Sequence, residues 1–375
     1  MGTKNRKDRI TRRGFLELSS AVLATTGLLG DANAAEGVPA HRDTTNTAKP
    51  DSALMTGKIA LEEHFVLPES ADTSYAIRDL PTPELRQKVL DVGSGRIAEM
   101  DRGGVGICIL SHVAAGVQAI PNISQAIALS RRVNDYLAEH IAKYSKRLKG
   151  FAALPLQDPE AASHELVRCI KELGFCGALV NGFSQIGEAD SAVFYDLPQY
   201  RQFWATVQDL EVPLYLHPRA PLTTRQQAYE GYPWLAGSPW GFAVETSIHA
   251  LRLMASGLFD EYPKLKVILG HLGEGLPFGI WRVDHRISRG SGSPKAKLPM
   301  RHYLHENFYI TTSGNFRTQA LTDVILEVGA DRVLYSVDYP FEDMAEAAAW
   351  FDQAAISEPD HIKIAYSNAQ KLFHL

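Results

Sequence analysis

In this 375-residue chain, the stretch KIALEEHF (Lys58–Phe65) sets two carboxylates and an imidazole directly after an apolar triplet. Other apolar runs end in the same kinds of residue: His112, Asn181, His217, His271 with Glu274 close behind, and Asp338. Side chains alternate along a strand, so Glu62 and His64 share one face and Glu63 takes the other, where it reads as solvated. A Glu and a His on one face, joined by His217 and Asp338 from other runs, can surround a single cation. Imidazole and carboxylate together suit zinc or another first-row divalent metal. Three or four protein ligands leave a position for water or substrate, as a catalytic centre requires. A lone His at a strand end is an ordinary polar residue, Asp338 before Tyr339-Pro340 can simply cap a turn, and His112 and Asn181 read equally as supporting or structural groups. The argument rests on their joint occurrence.

Eight such runs are strand candidates: 58–65, 105–112, 148–156, 175–182, 212–218, 265–273, 307–314 and 332–340. Each is short and nearly continuous in apolar residues, as parallel strands buried on both faces are. Helical periodicity fills the intervals at 124–145, 158–174, 315–330 and 345–355, with a last helix at 359–375. The second of these opens on an Asp cap with Pro behind it and stops at Gly. Strands alternating with helices in this number predict a (β/α)8 TIM barrel, whose chemistry sits at the C-terminal ends of the strands. A doubly wound open sheet is the runner-up, but no G-x-G-x-x-G follows the first run. Gly290–Ser293 reads as a loop, because it lacks the G-K-[ST] ending of a phosphate-binding loop.

The first 34 residues read as a leader. Arg12-Arg13, the apolar run Leu18–Gly30 and Ala32-Asn33-Ala34 have the order of a signal peptide with a twin-arginine (Tat) motif. The apolar run is too short to span a bilayer, so no stable membrane anchor is expected. Export to the periplasm follows, with residues 35–55 as a flexible lead-in and 56–375 as the barrel domain. Residues 1–34 hold six of the 38 Lys/Arg and three of the 43 Asp/Glu, which leaves 32 basic and 40 acidic residues, a net of −8. No basic run survives in the remainder, which argues against a nucleic-acid partner. Cys108, Cys169 and Cys176 fit neither C-x-x-C nor a zinc ribbon and read as buried free thiols.

ALEEHF (60–65), YLHPR (215–219), GHLGEGLP (270–277) with WRVDHR (281–286), and SVDYPFE (336–342) together resemble the metal-dependent non-oxidative decarboxylases of the amidohydrolase superfamily. The resemblance runs from about residue 56 to the C-terminus. It implies that Glu62, His64, His217 and Asp338 hold one divalent metal ion, zinc or manganese. It implies that His271 and Glu274 are catalytic together with Asp338, and that Arg282 helps hold substrate across a subunit contact in a homo-oligomer, dimer or tetramer. The branch acting on 2,3-dihydroxybenzoate has Ala where this chain has His64, which places the chain on the gamma-resorcylate side. Hydrolytic members usually open with His-x-His and often carry a carboxylated Lys after strand four. Here Glu-x-His and Val180-Asn181-Gly182 stand instead.

The expected substrate is a small aromatic carboxylic acid of the ortho-hydroxybenzoate type. Direct loss of CO2 would leave a very basic aryl anion. A metal-bound phenolate can instead feed electrons into the ring, so that the carbon bearing the carboxylate is protonated first. A general acid must stand over that carbon, Asp338 by first choice and His271 by second. The alternatives are a metal-dependent hydrolase of a lactone or amide, and an exported binding protein on the same scaffold.

Overall fold

The computed structural model describes residues 55–70, 82–290 and 292–375. The leader (1–34) and all of the lead-in but Met55 lie outside these residues. Eight strands, β1 Lys58–Phe65, β2 Val105–His112, β3 Leu148–Ala152, β4 Gly177–Asn181, β5 Leu214–His217, β6 Val267–Leu269, β7 Phe308–Thr311 and β8 Val333–Leu334, form one sheet in chain order. Every neighbouring pair is parallel. Beyond the end of β8 the chain returns to β1: Asp338 N donates to the Glu62 carbonyl at 3.0 Å, His64 N donates to the Tyr339 carbonyl at 2.7 Å, and Glu63 bridges Tyr339 in parallel. The predicted (β/α)8 barrel is therefore the fold observed.

Alternation divides the strand residues between two layers. Ile59, Leu61, Ile109, Phe151, Leu179, Tyr215, Ile268 and Leu334 pack on one another inside the barrel. Ala60, Phe65, Cys108, Leu110, Val180, Leu216 and Ile310 join the larger core beneath the helices. Two helices that flank β3 begin on ordinary side-chain caps. Asn122 accepts from Gln125 N ahead of the helix Ile123–Lys143, and Asp158 accepts from Glu160 N and Ala161 N ahead of Pro159–Lys171. That second helix stops at Lys171, short of the predicted Gly174.

The last helix departs from expectation. It runs from Glu358 to Ile362, widens into a π-helical turn over Lys363–Ser367 and resumes from Asn368 to Phe373. The Ile364 carbonyl accepts from Tyr335 N at 2.9 Å, and the Asn368 side chain donates to the carbonyls of Ala330 and Val333 at 2.8 Å each. Docking on β8 thus competes with the regular helical ladder, which is how such bulges arise. No described helix is long and apolar enough to cross a membrane.

Candidate active site

The pairing of β1 with β2 explains how a hydrophobic strand ends in charge. Ala60 pairs with Cys108 and Glu63 with Leu110, so β1 carries one extra residue between these positions. This is a β-bulge, a device that re-aims side chains beside functional sites. Strict alternation from Ile59 and Leu61 would send Glu63 into the barrel. With the bulge, Leu61 and Glu62 both face inward, His64 follows, and Glu63 turns to the other side.

Four groups meet there. One ligand atom each from Glu62, His64, His217 and Asp338 lies within 4.8 Å of all the others. His217 Nε2 stands 3.1 Å from Glu62 Oε1, and His64 Nε2 stands 3.2 Å from Asp338 Oδ1. Glu62 Oε1 and His64 Nε2 are buried without a hydrogen-bond partner. Buried polar atoms are normally satisfied, so two unpartnered lone pairs converging on one point fit a cation between them.

The ligand arms are held from behind. Ser111 Oγ is hydrogen-bonded to His64 Nδ1 at 3.1 Å, which leaves Nε2 for the centre. Tyr215 OH and Ser313 Oγ both donate to Glu62 Oε2, and Thr311 Oγ1 lies 2.9 Å from Tyr215 OH and 2.8 Å from Ser313 Oγ. Gly270 is required beside them: a Cβ there would fall 2.7 Å from Glu62 Oε2 and 3.1 Å from Tyr215 OH. None of these supports was singled out from the sequence. Tyr215 carried a signal, since it lies two residues before His217 and so on the same face.

His271 was expected within a strand, but β6 ends at Leu269. His271, Leu272 and Glu274 have φ of 51°, 56° and 55°, in the left-handed region, as does Asp338 at 80°. The chain turns sharply here, and His271 Nδ1 meets Glu274 Oε1 at 2.7 Å. His271 Nε2 points back to the centre, 3.6 Å from both Glu62 Oε1 and Asp338 Oδ2. Burial opposes charge on this imidazole, but Glu274, Glu62 and Asp338 outweigh it and raise its pKa well above the usual histidine range. Burial likewise opposes the Asp338 carboxylate, and His271 and His64 outweigh it, so Asp338 is held below the usual range. Burial lowers His217, with His64 adding to the effect.

Glu63 is fully buried, contrary to the solvated role read from the sequence. Its carboxylate accepts from Val337 N at 3.1 Å and Tyr339 N at 3.2 Å. Burial pushes its pKa up to about 8 against these donors and Arg96, with Asp338 adding to the rise. His112 is buried with neither ring nitrogen partnered, its pKa pushed down to about 4 by burial and then by His64. Asn181 Nδ2 donates to the His112 carbonyl at 3.4 Å. Neither belongs to the four-residue cluster.

A cavity of about 720 Å³ opens over the cluster. His217, His271 and Asp338 form its polar end, and Val113, Trp240 and Phe341 are among its apolar walls. Its size and mixed lining suit a small aromatic ring bearing polar substituents. Arg282 does not line it. It lies exposed on the helix Leu276–Ser288, beside Trp281.

A family model described as amidohydrolase matches residues 95–375. The chain belongs to this family. Among amidohydrolases it stands with the metal-dependent decarboxylases. It is 55% identical over 324 residues to the gamma-resorcylate decarboxylase of Polaromonas sp., covering 86% of this chain and 99% of that one. A crystal structure of 2,6-dihydroxybenzoate decarboxylase complexed with 2,6-dihydroxybenzoate superposes with a TM-score of 0.83 at 54% identity, covering 86% of this chain and 100% of the other. A dihydroxybenzoic acid decarboxylase from Polaromonas sp., solved with manganese and the inhibitor 2-nitroresorcinol, gives the same score and identity over 86% of this chain and 98% of its own. Within this amidohydrolase, four oxygen and nitrogen groups on β1, β5 and the turn after β8 form a cluster that could hold one metal ion.

Proposed function

We propose that this chain is a metal-dependent, non-oxidative decarboxylase of benzoates with a hydroxyl ortho to the carboxylate, gamma-resorcylate first among them. The observation that carries this reading is the placement of His271, paired with Glu274, beside Asp338, at the same cavity end where Glu62, His64, His217 and Asp338 converge. The relatives' substrates support the choice of acid, and the hydrolase alternative is not favoured. Assaying CO2 release from 2,6-dihydroxybenzoate against hydrolysis of lactones and amides tests it.

Glu62, His64, His217 and Asp338 hold the metal in this reading. Manganese, seen in the Polaromonas enzyme, and zinc both accept such a donor set. A metal bound there would supply Lewis-acid chemistry toward the substrate's hydroxyl-bearing ring. The residues then manage one proton, because replacing C–CO2⁻ by C–H consumes one per turnover. His271, with Nδ1 fixed on Glu274, hands that proton to Asp338 3.6 Å away, Asp338 passes it to the ring carbon, and solvent re-protonates His271. Protonation makes that carbon tetrahedral, the C–CO2 bond breaks, and its electron pair re-forms the aromatic ring. Val113, Trp240 and Phe341 hold the ring and exclude water.

Arg282 reaches substrate from a neighbouring copy in a homo-oligomer, in keeping with its exposure on its own protomer. The enzyme acts in the periplasm, in the breakdown of aromatic acids, after export through the Tat pathway. Residues 1–40 fused to a fast-folding reporter should carry it across the inner membrane. Normal export after Arg12→Lys with Arg13→Lys removes the Tat assignment.

A further inference from the structure

We propose that Glu63 is the positioning residue for Asp338, acting through the backbone on either side of it. The proposal rests on the reading of Asp338 as metal ligand and proton carrier. Asp338 lies four residues beyond the last residue of β8, where the backbone pairs with β1 only at the isolated bridge between Glu63 and Tyr339. Its φ of 80° lies in a region that non-glycine residues rarely adopt, so its surroundings must impose it.

The imposing contacts are few and can be named. Glu63 Oε1 accepts from Val337 N at 3.1 Å and from Ser336 Oγ at 3.3 Å, and Glu63 Oε2 accepts from Tyr339 N at 3.2 Å. The two amides flanking Asp338 therefore point to one carboxylate. The amide of Asp338 itself points the opposite way, to the Glu62 carbonyl at 3.0 Å. This alternation turns the Asp338 side chain to the cavity. Arg96 braces the same seam: it donates to the His64 carbonyl at 2.6 Å, and its guanidinium lies 4.8 Å from the centre of the Tyr339 ring.

Glu63 sits between Glu62 and His64, so one residue sets β1's two ligands against the ligand from the far side of the seam. A backbone carbonyl could satisfy one of the flanking amides. The two oxygens of Glu63 satisfy both while leaving Asp338 between them. Glu63 touches neither the metal position nor the cavity, so it acts through Asp338 and is not catalytic itself.

Glu63→Gln keeps the shape and one acceptor but turns an N–H₂ group toward one of the two amides. Apo protein titrated with Mn²⁺ should bind it about 10–100-fold more weakly, the range for lost outer partners of a ligand, with kcat at saturating Mn²⁺ down by a similar factor and KM nearly unchanged. Asp352→Asn is the control for general destabilisation. Asp352 accepts from Met55 N at 2.8 Å and Lys58 Nζ at 3.1 Å at the start of β1, and its loss should lower the melting temperature without altering Mn²⁺ affinity. Wild-type Mn²⁺ affinity and kcat in Glu63→Gln overturn the proposal, as does an equal loss of affinity in Asp352→Asn. Wild-type Mn²⁺ affinity in Asp338→Asn strikes instead at the reading of Asp338 as ligand. If Glu63→Gln does not fold, Glu63→Asp, with a shorter arm and the same charge, carries the test with the same two readings.

Discussion

His271 Nε2 faces Asp338 Oδ2 across 3.6 Å, an imidazole whose pKa Glu274, Glu62 and Asp338 raise, opposite a carboxylate whose pKa His271 and His64 lower. The two share one proton inventory but should not be interchangeable. Asp338→Asn removes the group over the ring, and both decarboxylation and exchange of ring hydrogen with deuterium in the product phenol should vanish. His271→Asn should keep its metal and slow turnover by about 10²–10⁴, the range for a lost acid–base group, with slow exchange persisting through Asp338. NMR in heavy water, with metal content measured for each variant, reads both. Wild-type exchange in metal-loaded Asp338→Asn, with none in His271→Asn, would reverse the roles.

Metal binding should depend on His217 without the fold depending on it. His217 lies at the last position of β5, outside the apolar clusters of the core. His217→Ala should lose metal by elemental analysis and lose activity, while its circular dichroism stays that of a folded barrel. Full metal occupancy and full activity would remove His217 from the site.

Substrate choice should follow chelation. Salicylate-type acids present a phenolic oxygen and a carboxylate oxygen to one metal, and 4-hydroxybenzoate cannot. CO2 release should be confined to the ortho-hydroxy acids in a panel of hydroxybenzoates. Equal turnover of 4-hydroxybenzoate would contradict the metal-centred basis of selectivity.

Acid stability should be limited by His249, far along the chain from the ligands. It is buried, its Nε2 accepts from Tyr195 N at 3.1 Å, and burial, with Arg252 adding, lowers its pKa to about 3. Between the ordinary histidine value of 6.5 and about 3, the unfolded chain binds a proton there that the folded chain does not. Stability therefore falls as pH drops through that window, by up to about 1.4 kcal/mol per unit. His249→Gln keeps an acceptor for Tyr195 N and cannot titrate, so its acid-unfolding midpoint should move to lower pH. An unchanged midpoint would acquit His249.

The starts of the first three strands were legible, as were the ends of the first two, whereas the ends of the sixth and eighth were not. The runs predicted to begin at 58, 105 and 148 begin there, because the apolar composition that buries a parallel strand is local. The runs predicted to reach 273 and 340 stop at Leu269 and Leu334, although apolar residues continue. What stops them is long-range: Ser313 Oγ takes the His271 amide at 3.2 Å, and Glu63 takes the amides around Asp338. Similarly, the four-residue cluster could be read from residue types at strand ends, whereas the bulge that turns Glu62 inward depends on the register with β2. Glu63 was misjudged for the same reason, since its partners lie more than 270 residues away.

All five residues of the run from His271 to Gly275 have φ between 51° and 81°, and three of them, His271, Leu272 and Glu274, are not glycine. For a lineage drifting under selection for heat tolerance alone, glycine or asparagine at the non-glycine positions would relieve the backbone. Each such gain at His271 or Glu274 would erase the imidazole–carboxylate pair. Thermal hardiness and turnover therefore pull this turn in opposite directions, and engineering for robustness has freer choices at the helix ends than here.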